Sequence, residues 1–194
     1  MDRPCKGRRN FQQKIICDQI LAFQHMLIYP LVRMKLIIMR HGDHFENALT
    51  KYGIGQTTDL GQALPQIIAT HGIDVSRVLF LVSPQGRTRA TAHRLEVHLE
   101  SCGTQHCQYE VVEAFENEND AGYQKAAELI AERCKREDYT LVWVVTHFFH
   151  TANVPYLILS LMCGDGAADP VQTSTAYCDP ILIDTATGKS WYPL

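Results

Sequence analysis

The sequence predicts an α/β protein, a three-layer α/β/α sandwich on a mostly parallel sheet. Short apolar runs of strand length recur at residues 36–39, 78–82 and 141–145. Segments with apolar residues at helical spacing separate them, and each run ends abruptly in a polar turn. A strand that is apolar on both sides has both faces covered, the condition of a parallel strand layered between helices. The 194 residues, 46% hydrophobic and 20% charged, suffice for one well-buried core and are short for two.

The elements follow in chain order. Residues 36–44, LIIMRHGDH, run from four apolar residues into Arg40-His41-Gly42, a buried strand ending on a glycine turn. Residues 44–57 are polar and glycine-bearing and read as a loop. Thr58 reads as the N-cap of a helix with the stripe Leu60, Leu64, Ile67 and Ile68, kinked or shortened by Pro65. The strand at 78–82 ends in Ser83-Pro84-Gln85-Gly86-Arg87; residues 88–100 are helical by pattern, and 109–112 form a short third strand. Asp120 reads as the cap of a long helix with Ala126, Leu129, Ile130 and Cys134 on one face. The strand at 141–145 ends at Thr146-His147, a helix covers 152–162, and residues 181–183 and 190–192 flank a turn as a hairpin.

Composition narrows the function classes. A formal net charge of -3 and a pI near 6.3 give no general basic field, so nucleic acid is not the expected partner and any anion site must be local. No run approaches the roughly 18 uninterrupted apolar residues of a membrane span, so no membrane association is expected. Seven cysteines without a CxxC pair, several inside apolar runs, favour a reducing cytoplasm. Cys102, His106 and Cys107 lack a second ligand pair at finger-like spacing and read as loop. Residues 1–33 differ in character: Arg3, Lys6, Arg8 and Arg9 precede a segment interrupted by Asp18, Gln19, Gln24 and His25, with no small-residue cleavage site. Ile16, Ile20, Phe23 and Leu27 there fall at helical spacing. The expected division is an appendage at 1–33, helical or an over-long start, and one domain at 34–194.

In an open α/β sheet, ligands gather at the carboxyl ends of strands. Three strands here end in Arg40-His41, Arg87 and His147. Parallel strands bring these turns to one rim, where two guanidiniums and two imidazoles repel one another unless an anion sits between them. Phosphate suits them: arginine offers a fixed fork of donors, and neutral histidine is a nitrogen nucleophile able to accept a phosphoryl group.

Arg40-His41-Gly42, then Ser83-Pro84 with Arg87 and Thr91-Ala92, then Thr146-His147, in this order and strand context, resemble the histidine phosphatase superfamily, the phosphoglycerate-mutase-like proteins, over residues 34–194. The resemblance implies that His41 is the phosphoryl-accepting nucleophile and that Arg40, Arg87 and His147 hold the phosphate. The implied activity is hydrolysis of a phosphomonoester or phosphoramidate, carried by a phosphorylated small molecule or a phosphoprotein, without metal or other cofactor. The compact length, the MRHGD opening and Thr173-Ser174-Thr175-Ala176 look most like the short bacterial phosphohistidine phosphatases. The superfamily's general acid is a carboxylate after the third strand, where Glu113, Glu116, Glu118 and Asp120 offer themselves. Glu118, a few residues before Gly122, fits best and Glu116 next. The plainer alternative is that these acids solvate a loop and cap the following helix.

Other readings stay open. His44 and His150 make two HxxH pairs with His41 and His147, a pattern for a metal-dependent hydrolase, although no carboxylate cluster lies at a matching strand end. A catalytically weak phospho-ligand-binding domain is a further alternative, against which the second imidazole argues. Mutase activity requires a second phosphate grip and a lid, for which the short loops leave little material.

Overall fold

A computed structural model describes residues 34–136, 138–163 and 173–192, so the reading of residues 1–33 as an appendage lies outside the described residues. Chain order is β1 (Lys35–Arg40), β2 (His44–Phe45), β3 (Ala48–Leu49), α1 (Lys51–His71), β4 (Arg77–Val82), α2 (Gly86–Ser101), β5 (His106–Val111), a 3-10 turn (Glu113–Glu116), α3 (Asp120–Cys134), β6 (Leu141–Thr146), α4 (Phe148–Cys163), β7 (Ile181–Asp184) and β8 (Lys189–Trp191). The central sheet is ordered β5-β4-β6-β1-β7-β8. Its first four strands run parallel, and β7 and β8 close one edge antiparallel.

Side chains alternate across the pleat, so each apolar strand feeds two cores. Leu36, Ile38, Leu79, Leu81, Val142 and Val144 pack with Ala126 and Ile130 of α3 and Val154 and Ile158 of α4. Ile37, Met39, Val78, Phe80, Trp143 and Val145 pack with Leu60 and Leu64 of α1 and Leu95 and Leu99 of α2. Two helices on each face make the three layers that the apolar strands predict. Each such side chain contributes about 1.5–3 kcal/mol on full burial. At the antiparallel edge, Lys35 and Asp184 are register partners and form a buried ion pair of 2.6 Å.

Four boundaries differ from the sequence reading. Residues 44–57 are not a loop: they hold the β2-β3 hairpin and the first turns of α1. Thr50, not Thr58, is the N-cap, its hydroxyl accepting from Gly53 N at 3.0 Å. Gly53 is one of the glycines of the stretch read as loop, but a Cβ there would lie 1.9 Å from the Asp43 carbonyl oxygen; the glycine serves a close approach between α1 and the turn after β1. The helix continues through Pro65. Asn119, not Asp120, caps α3 through its side-chain oxygen, 2.9 Å from Gly122 N. β5 begins at His106 rather than 109, and α4 at Phe148 rather than 152, so α4 starts immediately after His147. The hairpin at the C-terminal end forms as expected. Among the described residues no helix is long and apolar enough to cross a membrane.

Candidate active site

β6 lies between β1 and β4, so the three loaded strand ends are neighbours. Arg40 pairs with Thr146, and the ladder continues past the strands: His41 N donates to Thr146 O at 3.1 Å and Ser83 N to Val145 O at 3.4 Å. The main chain thereby fixes the two turns before any side chain acts. Thr91 of α2 adds a tie, donating to Arg87 O at 2.9 Å and accepting from Gly42 N at 3.1 Å.

His41 is 2% exposed. Its Nδ1 lies 2.7 Å from Gly42 O, and Arg87 Nε donates to its Nε2 at 3.1 Å. An arginine Nε always carries hydrogen, so Nε2 is the acceptor and the ring proton sits on Nδ1, pointing at the Gly42 carbonyl. Burial, with His147, Arg87 and His44 acting in the same direction and the Gly42 carbonyl opposing, lowers the His41 pKa to about 3. Burial is the larger cause, and the flanking positive charge adds to it.

His147, at 5% exposed, lies with its ring centroid 5.3 Å from that of His41. Its Nε2 is 2.8 Å from Ser83 Oγ, and its Nδ1 is buried without a partner. Burial, then Arg87, His150, His44 and Arg40, lowers its pKa to about 4. Both imidazoles are neutral near pH 7.

The two arginines enter from different layers. Arg87, in the first turn of α2, also donates from NH1 to Glu46 O at 3.1 Å. Arg40 donates from NH1 to Thr175 O at 2.9 Å, while its Nε is buried and unpartnered. Among the described residues neither guanidinium forms an ion pair, so no carboxylate in contact neutralises either charge.

Glu116 and Glu118 lie at the rim, both exposed. They hydrogen-bond neither histidine nor either arginine, yet they are close enough to raise the Arg87 pKa against the burial that lowers it. The structure therefore brings Arg40, His41, Arg87 and His147 together and leaves both carboxylates at the edge. Asp120 occupies the first turn of α3, beside the Asn119 cap.

The HxxH pairs do not make a metal centre. His44 has its ring 4.7 Å from His41, and His150, fully buried, sits 6.4 Å from His147 against Phe115 and Tyr123. Both His41 nitrogens are engaged, and among the described residues no three His, Cys, Asp or Glu side chains are placed to hold an ion. This donor set does not fit a metal.

Sequence reasoning missed Tyr177 and Phe148. The Arg40 guanidinium carbon lies 3.7 Å from the Tyr177 ring centroid and 5.3 Å from that of Phe148. The Phe148-Phe149 pair directly after His147 was a usable signal; nothing in the sequence marks Tyr177.

No protein-family profile and no curated protein matches the sequence. Solved structures do. A protein of Nakamurella multipartitia provisionally designated phosphohistidine phosphatase SixA superposes with a TM-score of 0.51 at 18% identity, over 83% of this chain and 94% of that one. A histidine-to-alanine variant of the Entamoeba histolytica phosphoserine phosphatase, in complex with phosphoserine, gives 0.50 at 18% identity over 82% and 94%. A mycobacterial glucosyl-3-phosphoglycerate phosphatase gives 0.51 at 14% identity over 82% and 96%. The fold is the phosphoglycerate-mutase-like fold of these histidine phosphatases, as the resemblance implies.

Proposed function

We propose that the protein is a phosphoric monoester or phosphoramidate hydrolase working through a phosphohistidine on His41, without a metal. The observation that carries this is the bonding of His41: a buried neutral imidazole, its proton on Nδ1, presents its Nε2 lone pair to the Arg87 guanidinium. A substrate phosphate would draw Arg87 onto its oxygens and free that lone pair. Nε2 then attacks phosphorus as the P–O bond to the leaving group breaks, with Arg40, Arg87 and His147 stabilising charge on the equatorial oxygens. The Gly42 carbonyl, accepting from Nδ1–H, stabilises the positive ring that results. A protonated carboxyl, Glu118 or Glu116, gives its proton to the departing oxygen. Water next attacks phosphorus, the carboxylate takes its proton, and the N–P bond breaks to restore His41.

The chemistry of the pocket recognises a phosphoryl group on a small molecule or a protein side chain. Solved structures of the same fold are named for phosphohistidine, phosphoserine and glucosyl-3-phosphoglycerate, which share only that group. We assign the activity to residues 34–194, and the free thiols of Cys102, Cys107, Cys134, Cys163 and Cys178 fit the cytoplasm as its compartment. A screen over phosphoproteins and small phosphoesters tests the activity, with His41→Ala as control. Turnover should vanish in the variant, and the wild type should yield an acid-labile, alkali-stable phosphoenzyme. Wild-type turnover by His41→Ala would overturn the mechanism. Phosphate binding without turnover of any substrate would leave a binding domain.

A further inference from the structure

Arg40 and Arg87 lie close enough to act on each other, and among the described residues neither forms an ion pair; Glu116 and Glu118 act on Arg87 only from the rim. Like charge so placed pushes a long side chain toward solvent. Arg87 is anchored by His41 and by the Glu46 carbonyl. Among the described residues the Arg40 guanidinium has one hydrogen bond, from NH1 to Thr175 O, and two aromatic rings beside it.

We propose that Tyr177, assisted by Phe148, is a positioning residue of the phosphate clamp: the two rings hold the Arg40 guanidinium in place for an anion without neutralising it. A carboxylate would hold Arg40 too, but it would compete with phosphate for the same donors. An aromatic face attracts the cation through its quadrupole and takes no N–H, so the buried, unpartnered Nε of Arg40 stays free. This assignment rests on the reading of the pocket as a phosphate site and names the part that holds Arg40 in place.

The backbone supports it. Tyr177 forms an isolated parallel bridge with Arg40, and Cys178 N donates to Arg40 O at 3.1 Å, so the ring is registered to the residue it supports. Among the described residues, two non-glycine positions have positive φ: Cys178 at 51° and Glu46 at 52°. Cys178 follows the ring that holds Arg40, and Glu46 supplies the carbonyl that holds Arg87. Left-handed backbone in such residues persists only where the surroundings enforce it, and it concentrates at ligand clamps. Buried Cys178 is held in part by Thr57, whose hydroxyl lies 3.6 Å from its sulfur. The Tyr177 ring also lies 5.8 Å from His41, so one side chain contacts both the clamp and the nucleophile.

Calorimetric titration with inorganic phosphate tests the role, because it reads the clamp independently of turnover. Tyr177→Phe keeps the ring and should bind as the wild type does. Tyr177→Leu should weaken binding about tenfold. In an Arg40→Ala background the same substitution should have no further effect, whereas a general structural role would weaken binding in both backgrounds. Should Tyr177→Leu fail to fold, Phe148→Leu serves, with a smaller loss that also disappears in Arg40→Ala. Unchanged phosphate affinity in a folded Tyr177→Leu variant, or in its replacement Phe148→Leu, would overturn the assignment, as would a loss that persists without Arg40. A wild-type protein that binds no phosphate would sink the phosphate-site reading itself, and the positioning role with it.

Discussion

Arg87 Nε lies 3.1 Å from His41 Nε2 and donates into the one lone pair that this ring keeps free. Arg87 thus caps the His41 lone pair, and an anion that recruits the guanidinium would uncap it. Charge alone does not reproduce this, because a lysine ammonium lacks the planar fork that can release Nε2 and grip two phosphate oxygens at once. Arg87→Ala should lower kcat about 10²–10³-fold, the usual loss for one donor to a developing oxyanion. Arg87→Lys should recover only a minor part of it. Steady-state kinetics on one phosphoester decides; full recovery by lysine would show that only charge matters.

The leaving-group side is separable. Glu118 and Glu116 stand exposed at the rim, where a carboxyl can protonate an alkoxide but contributes nothing to a leaving group that departs unaided. Glu118→Gln should therefore slow hydrolysis of an alkyl phosphate about 10²-fold or more while leaving p-nitrophenyl phosphate nearly unaffected. Glu116→Gln should do less. An equal loss on both substrates would assign these residues to electrostatics rather than proton transfer.

Acid should destabilise the fold through His41 and His147. Their native pKa values of about 3 for His41 and about 4 for His147 lie below the ordinary 6.5. Between those limits the unfolded chain binds more protons than the native one, so stability is complete above about pH 6.5 and declines as pH falls toward 4. Melting temperature against pH should show this slope, and His41→Asn should flatten it. The acid limb of kcat/KM, corrected for substrate ionisation, should likewise fall below pH 5 rather than near 6.5.

Gly53 offers a test of the scaffold. An alanine Cβ there would meet the Asp43 carbonyl at 1.9 Å and push the turn after β1 away from α1. Gly53→Ala should cost about 1–3 kcal/mol in denaturant unfolding, the range for overpacking. Activity should fall as well, since Asp43 follows the His41-Gly42 turn. Gly55, where an added Cβ meets nothing within 4 Å, is the matched control.

What the sequence disclosed divides along physical lines. The strands were legible because burial on both faces leaves an unbroken apolar run, as in LIIM and LVWVV, and the four converging residues were legible because parallel strands share one rim. The start of α1 was not: Gly53 looks like a loop glycine until the Asp43 carbonyl against it is known, a contact that local pattern does not contain. Tyr177 was hidden for a related reason. It reaches Arg40 through a single bridge across 137 residues of sequence, and no periodicity encodes such a meeting. The order of the causes acting on His41 was equally out of reach, because charge can be read from residue types whereas depth of burial requires the packed layers.

The sheet order carries a further consequence for how the molecule is made. β1 pairs with β6 and β7, whose partner residues lie at Leu141–Thr146 and Ile181–Asp184, so the strand that leads into His41 has no neighbour until most of the chain has been synthesised. An apolar strand with both edges bare is a template for pairing with other chains, and long-range parallel pairing is slow. During synthesis, Leu36 to Met39 is therefore the stretch most in need of shielding, by the ribosome or by a holdase. Insertion of β6 between β1 and β4 covers one edge of β1 and first brings His147 to His41; the segment leading into β7 covers the other edge and brings Thr175 and Tyr177 to Arg40. Closing the bare edges and assembling the pocket are the same two steps.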